Sequence, residues 1–125
     1  MSYQKLEVYK KTYKLAVLIH KLSLKLPNNL QFDLGDQLRR ALRSIPSNII
    51  EGMTRNQSDR DKVHFLRIAL GSNNEVLFNL KFLRDVSLLN EFEFKKFFEE
   101  YTITGKQIYC LIESLNKNNK PRTNS

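Results

Sequence analysis

Residues 44–52 read SIPSNIIEG, and they fall where a helix ought to run without interruption. The residues just before them, DLGDQLRRALR (33–43), carry Leu34, Leu38, Ala41 and Leu42 at helical spacing. Pro46 then removes a backbone donor and crowds the preceding turn, which inside a helix costs about 3 kcal/mol. Around it, Ser44, Ser47, Asn48 and Glu51 share one side, beside the apolar Ile45, Ile49 and Ile50. A helix that carries a breaker and a polar stripe at the same place is built to meet another element there. Pro46 frees the carbonyl of Leu42 and is expected to bend the helix.

The rest of the chain supports an all-α fold. Only 4 Gly and 3 Pro occur among 125 residues, and no Asn-Gly or Asp-Gly hairpin signal is present, so long helices with few turns are expected. Four segments emerge. The first runs from about Tyr3 to Leu26 and stops before Pro27, because proline disfavours helix in the residue ahead of it. The second starts after Asp33 as N-cap and ends near Gly52, a residue suited to a left-handed C-terminal cap. The third starts at Ser58 with Asp61 three residues on and reaches about Ser87. The fourth opens with Asn90 and Glu93 in the same relation. One domain, residues 1–118, and a polar tail, 119–125, follow.

Spacing gives the core faces. Phe94, Phe97, Tyr101, Thr104, Ile108, Leu111 and Leu115 form one heptad-like series. Phe65, Ala69, Ser72, Val76, Asn79, Leu83 and Val86 form another. Short connections between such helices predict an antiparallel, up-down four-helix bundle. The first helix carries two apolar stripes, one of Leu6, Tyr9, Tyr13, Ala16, Val17 and His20, the other of Val8, Leu15, Ile19, Leu22 and Leu26. They lie about 140° apart. A peripheral helix needs one stripe, so the outer one, assigned to Leu15 and Ile19, is expected to contact another subunit.

Charge points to an anionic partner. The 21 Lys+Arg against 13 Asp+Glu give a net charge of +8, as nucleic-acid binders tend to show. Residues 1–29 hold six lysines and one glutamate. Lys10, Lys14, Lys21 and Lys25 fall within an arc of roughly 60° and span about 22 Å, a candidate track for backbone phosphates. Arg39, Arg40 and Arg43, with Arg55 and Arg60 around the next loop, form a second basic concentration.

Catalytic patterns are absent. No Walker-type loop, GxSxG or HExxH occurs. Asp61-x-x-His64 is a single copy of the spacing that di-iron bundles use in pairs. His20 reads as a core histidine, His64 as a surface one, and Glu51 with Glu75 as members of a polar packing network. Cys110, the lone cysteine, reads as a buried structural thiol. Neither enzyme activity, metal nor cofactor is expected. With no secretory h-region and no run of apolar residues long enough to span a bilayer, the expectation is a cytoplasmic protein with no membrane partner.

Two ordered motifs, QLRRALRSIPSNIIEG (37–52) and HFLRIALGSNNE (64–75), resemble the four-helix-bundle proteins encoded by intervening sequences of bacterial 23S rRNA genes. The matching positions are Leu6, Val8, Tyr9 and Pro27, then Gln37, Leu38, Arg40, Ala41, Ser44, Pro46, Asn48, Ile49, Glu51 and Gly52. Phe65, Leu66, Ile68, Ala69, Gly71, Ser72 and Glu75 complete them. Tyr9 replaces a usual Trp, Ile50 a frequent Ala, and Leu70 a common basic residue, which thins the basic surface of the third helix. The resemblance implies a homopentameric ring. It also implies RNA or other nucleic acid as partner or, as in relatives that assist reverse transcriptases, a scaffold role. The strip Arg40, Ser44, Ser47, Glu51 is expected to meet Gly71, Ser72 and Glu75, where another backbone can approach closely, with Asn48 and the serines satisfying the backbone groups that Pro46 frees.

Overall fold

The structure, a computed structural model, describes residues 3–54 and 57–119, and the side chains of residues 7–54 and 57–117. Leu6's side chain, Arg55 and the tail beyond Asn119 lie outside them. Four long helices, α1 (Tyr3–Ser23), α3 (Asp36–Gly52), α4 (Asp59–Asp85) and α5 (Glu91–Asn119), form a bundle with no strand among the described residues. A single turn, α2 (Asn28–Leu30), and a π-helical stretch, Gln31–Gly35, lead into α3. Helix α3 packs against α4, α4 against α5, and α1 closes the bundle against α3 and α5.

Local chemistry sets the clearest boundaries. Ser58 is extended, and its hydroxyl accepts from the amide of Asp61 at 3.1 Å. Asn90 does the same for Glu93 at 2.7 Å. Each cap satisfies a donor that the first turn leaves open, and the acidic residues of those turns complement the helix dipole. Helix α4 ends where Ser87 turns left-handed, with φ 65°. The amide of Leu88 then reaches back to the Leu83 carbonyl at 2.8 Å, and that of Ser87 to Arg84 at 2.9 Å, a Schellman closure.

Three boundary expectations change. Asp33 is not an N-cap: it lies inside the π-helical stretch, and helical bonding continues backward through Gly35. Helix α1 stops at Ser23, so Lys25 stands on the following turn, its amide bonded to Leu22. Gly52 has no positive φ. It is the last residue of α3, where a Cβ would come within 3.1 Å of Leu66 and 3.2 Å of the Lys62 carbonyl. Close packing, not backbone freedom, accounts for a glycine there.

The core follows the predicted rhythm on α3, α4 and α5. Leu38, Leu42, Ile45 and Ile49 of α3 are buried, as are Leu66, Ala69, Val76 and Leu80 of α4. On α5 the buried series is Phe94, Phe97, Tyr101, Thr104, Ile108, Ile112 and Leu115. Leu111 is half-buried, Phe65 likewise, and Val86 is exposed. Each buried aliphatic side chain contributes about 1.5–3 kcal/mol. Helix α3 runs through Pro46, which is itself buried. Ser44 meets Ser72 of α4, hydroxyl to hydroxyl, at 2.8 Å, while Gly52 meets Leu66.

The assignment of the two α1 stripes is reversed. Val8, Leu15 and Ile19 are core residues, with Leu15 7% and Ile19 2% exposed. Tyr13 and Val17 are the outer ones, at 56% and 40%. The stripes carry similar apolar content, and the neighbour on which α1 lands decides which is inside.

Two buried polar clamps tie the helices. Asn73 of α4 donates to the Tyr101 carbonyl at 2.8 Å and accepts from the Thr104 hydroxyl at 2.7 Å. Arg39 donates to the Ser23 hydroxyl at 2.9 Å, to Gln31 Oε1 at 3.1 Å, to the Gln31 carbonyl at 2.9 Å and to Asp36 at 3.0 Å. Gln31 in turn donates to the carbonyl of Ser23, which also accepts from the Leu26 amide, and to that of Leu26 in the turn beyond α1.

Burial pushes the Tyr101 phenol above its ordinary range, and its hydroxyl has no hydrogen-bond partner. An unsatisfied buried hydroxyl costs about 1–3 kcal/mol. Tyr101→Phe is therefore expected to raise stability by about 1 kcal/mol, a melting shift of roughly 4 °C. A calorimetric melt that falls instead would show that the hydroxyl is bonded in solution.

Candidate nucleic-acid interface

Helix α1 presents Lys10, Lys14 and Lys21 to solvent. The spacing of 4 and 7 holds them on one side, next to the outer stripe of Tyr13 and Val17. Among the described residues none of the three has a carboxylate within ion-pair distance; the α1 lysine that does is Lys11, 2.9 Å from Glu100. Lys25, expected in the same row, is exposed but off the helix. It borders a cavity of about 250 Å³ with Leu22, Leu26, Leu83, Leu88 and Phe97. The helical track is thus three lysines long.

Arg39 leaves the basic surface altogether. It is 9% exposed, and its guanidinium is committed to the clamp between α1 and α3. Gly35 makes room for it, since a Cβ there would come within 2.9 Å of Nη2. Arg40, Arg43 and Arg60 are exposed, and Arg55 lies outside the described residues. Arg43 and Lys21 flank a groove of about 570 Å³ between α1 and α3, which Tyr9, Tyr13, Val17, Pro46 and Ile50 line. His20 and Glu51 also border it, so His20 is not a core residue.

The polar strip closes at one point. Ser44 and Ser72 are bonded, and Asn48 donates to the Ser44 carbonyl at 2.8 Å and its hydroxyl at 3.1 Å. Ser47 turns its hydroxyl to the same carbonyl at 3.3 Å. These donors serve Ser44 and not the carbonyl of Leu42 that Pro46 frees. Gln37, Arg40, Glu51, Gly71 and Glu75 are exposed. Nothing lies within 4 Å of a Cβ built on Gly71, so the close approach expected there does not exist. Gly105, like Gly35 and Gly52, does admit a neighbour: a Cβ there would stand 2.9 Å from the Asn73 amide nitrogen.

A second set of cations was only partly visible in the sequence. Arg60, with His64 and Arg67, lines a groove between α4 and α5. The signal is their 4, 3 spacing on α4, which sets all three on one face. Cys110 is exposed, contrary to expectation. It lies on the side of α5 opposite Ile108 and Ile112. Among the described residues no group of three or more His, Cys, Asp or Glu side chains is placed to hold a metal ion. No helix there is long and apolar enough to cross a membrane.

The chain is similar to a solved structure from Bacteroides thetaiotaomicron, a protein with unknown function from the S23 ribosomal protein family, determined at 1.70 Å. The two share 27% identity and superpose with a TM-score of 0.80, covering 88% of this chain and 98% of that one. No curated protein matches the chain. The model of the 23S rRNA-intervening sequence protein family matches residues 4–110, which take in α3 and α4 whole, most of α1 and α5, and both motifs around Pro46 and Gly71. With that match and the shared four-helix architecture, the chain belongs to the 23S rRNA-intervening sequence protein family.

Proposed function

We propose that the protein is a non-enzymatic, homo-oligomeric RNA-binding bundle. The observation that carries this reading is the row of exposed lysines on α1, with no ion-pair partner among the described residues, set in a chain of net charge +8. A surface helix without a binding role ordinarily mixes charge signs. Here the ammonium groups of Lys10, Lys14 and Lys21 contact backbone phosphates, and Arg40 and Arg43 extend the surface onto α3. The up-down, antiparallel arrangement belongs to the same reading. It is supported by the pairings of Ser44 with Ser72 and of Gly52 with Leu66, in which numbers rise along α3 as they fall along α4. Pro46 bends α3 so that Ser44 docks on α4.

Subunits associate through the α1/α3 groove, where Tyr13, Val17 and Ile50 are exposed together, and the family resemblance makes the assembly a pentameric ring in the cytoplasm. The same apolar groove favours a second reading, in which the oligomer is a scaffold for a protein partner such as a reverse transcriptase.

Binding of a structured RNA across a salt series tests the first reading. Lys14→Gln with Lys21→Gln is expected to flatten the log–log salt dependence by about 1.5, since each phosphate contact contributes about 0.7–0.9. The loss is expected to be uniform across RNA sequences, because an ammonium is a point charge. An unchanged slope removes α1 from the interface, and no binding by the wild type at low salt leaves the scaffold.

A further inference from the structure

The N-terminal half of α4 and the C-terminal part of α5 enclose a groove of about 570 Å³, separate from the α1/α3 groove. Arg60, His64 and Arg67 stand along its α4 wall, Val63 is buried beneath, and Asn116 contributes from α5. The two guanidinium-bearing residues lie about 10 Å apart along the helix axis. Neither has a carboxylate within ion-pair distance among the described residues. The arginines of α3 and α4 that do are Arg39, on Asp36, and Arg84, on Asp85 and over the Phe94 ring. Planar guanidinium groups in this state match phosphate oxygens two bonds at a time. The His64 ring between them adds a further N–H donor.

The α5 side adds an aromatic surface. Tyr109 precedes Asn116 by seven residues and shares its side of the helix, and it is 55% exposed. Asn73 meets Tyr101 and Thr104, and Arg60 and Asn116 line one groove across the same pair of helices. This register sets Tyr109 level with Arg67. Glu113, exposed on that side of α5, repels phosphate and keeps it to the α4 wall.

We propose that this groove holds the backbone of single-stranded RNA, with phosphates on Arg60 and Arg67 and an unpaired base stacked on Tyr109. Exposed phenol beside guanidinium is the combination that single strands exploit. The proposal rests on the reading that the protein binds RNA, and it names a second surface for it.

Fluorescence anisotropy of an unstructured oligouridylate, with a duplex RNA alongside, tests it. Arg60→Gln with Arg67→Gln is expected to weaken oligouridylate binding at least tenfold at low salt and to flatten its salt slope by about 1.4. Because both side chains are exposed, the melting temperature is expected to stay unchanged. Arg60→Lys with Arg67→Lys is expected to keep the slope and lose several-fold in affinity, since an ammonium cannot make the paired bonds. Tyr109→Ala is expected to weaken the single strand by about fivefold or more and leave the duplex unaffected. If the double Gln variant binds like the wild type while Lys14→Gln/Lys21→Gln does not, the α4/α5 groove is overturned and the α1 surface stands. If the wild type binds no RNA, both fall. Polyglutamate binding as tightly as oligouridylate, and lost in the double Gln variant, assigns the groove to an acidic protein segment and overturns the RNA proposal.

Discussion

Asn73→Ala is expected to lower stability by about 2–3 kcal/mol, a loss of roughly 10 °C in melting temperature. The side chain is fully buried and bonds α4 to two groups of α5. Its removal leaves a cavity and takes a partner from the Thr104 hydroxyl. That hydroxyl keeps a longer bond to the Tyr101 carbonyl at 3.1 Å, which holds the cost below that of a wholly orphaned pair. Gly105 supplies a sharper test. Alanine there adds about 1 kcal/mol of helix propensity, but its Cβ would press on the Asn73 amide at 2.9 Å. Gly105→Ala is therefore expected to destabilise the wild type and to stabilise Asn73→Ala. Urea melts of the four proteins give the coupling directly. Equal effects of Gly105→Ala in both backgrounds would show that the amide does not occupy that space.

The Asn73 clamp also marks where sequence reasoning reached and where it stopped. The caps at Ser58 and Asn90 were legible because a capping side chain bonds within its own turn. The α5 core was legible because its aromatic and aliphatic residues keep one rhythm from Phe94 to Leu115. Ser72 and Asn79 were counted with the α4 core and are buried, but Asn73 was not. Its position, four residues after Ala69 and three before Val76, placed it on the same stripe. A polar residue on a core stripe was the available signal.

Arg39 had no such signal. Its burial depends on Ser23 at the end of α1 and on Gln31 arriving through a π-helical stretch, and neither is encoded within α3. A count of charges along the sequence cannot tell a solvated guanidinium from a structural one. Arg67 shows the converse: it is exposed and lines a groove, yet it stands alone between apolar residues in the sequence. Asp33 failed as a cap for a related reason, since a wide helical turn that extends α3 backward leaves no mark in local propensity.

Leu15→Glu with Ile19→Glu is expected to abolish cooperative folding, whereas Tyr13→Glu with Val17→Glu is expected to leave the bundle intact. The first pair places two carboxylates at positions 7% and 2% exposed, among Val8, Leu38 and Leu80 of the core. Each loses the transfer energy of a buried aliphatic side chain, about 1.5–3 kcal/mol. Each then adds the cost of an unpaired buried charge, several kcal/mol more even after its pKa rises. The total, about 10 kcal/mol or more, is as large as the roughly 5–15 kcal/mol by which such a domain is stable. The second pair alters side chains already 56% and 40% in contact with water, so its effect on the fold is expected to stay within about 0.5–1 kcal/mol. Circular dichroism separates the two outcomes: helical signal and a cooperative melt persist in the outer variant and vanish in the inner one. Light scattering then reads the role of the outer stripe. If the α1/α3 groove joins subunits, the outer variant is expected at the monomer mass of 14.8 kDa while the wild type is several-fold heavier. A wild type already at that mass would overturn self-association through this groove and leave the exposed tyrosine and valine to another partner.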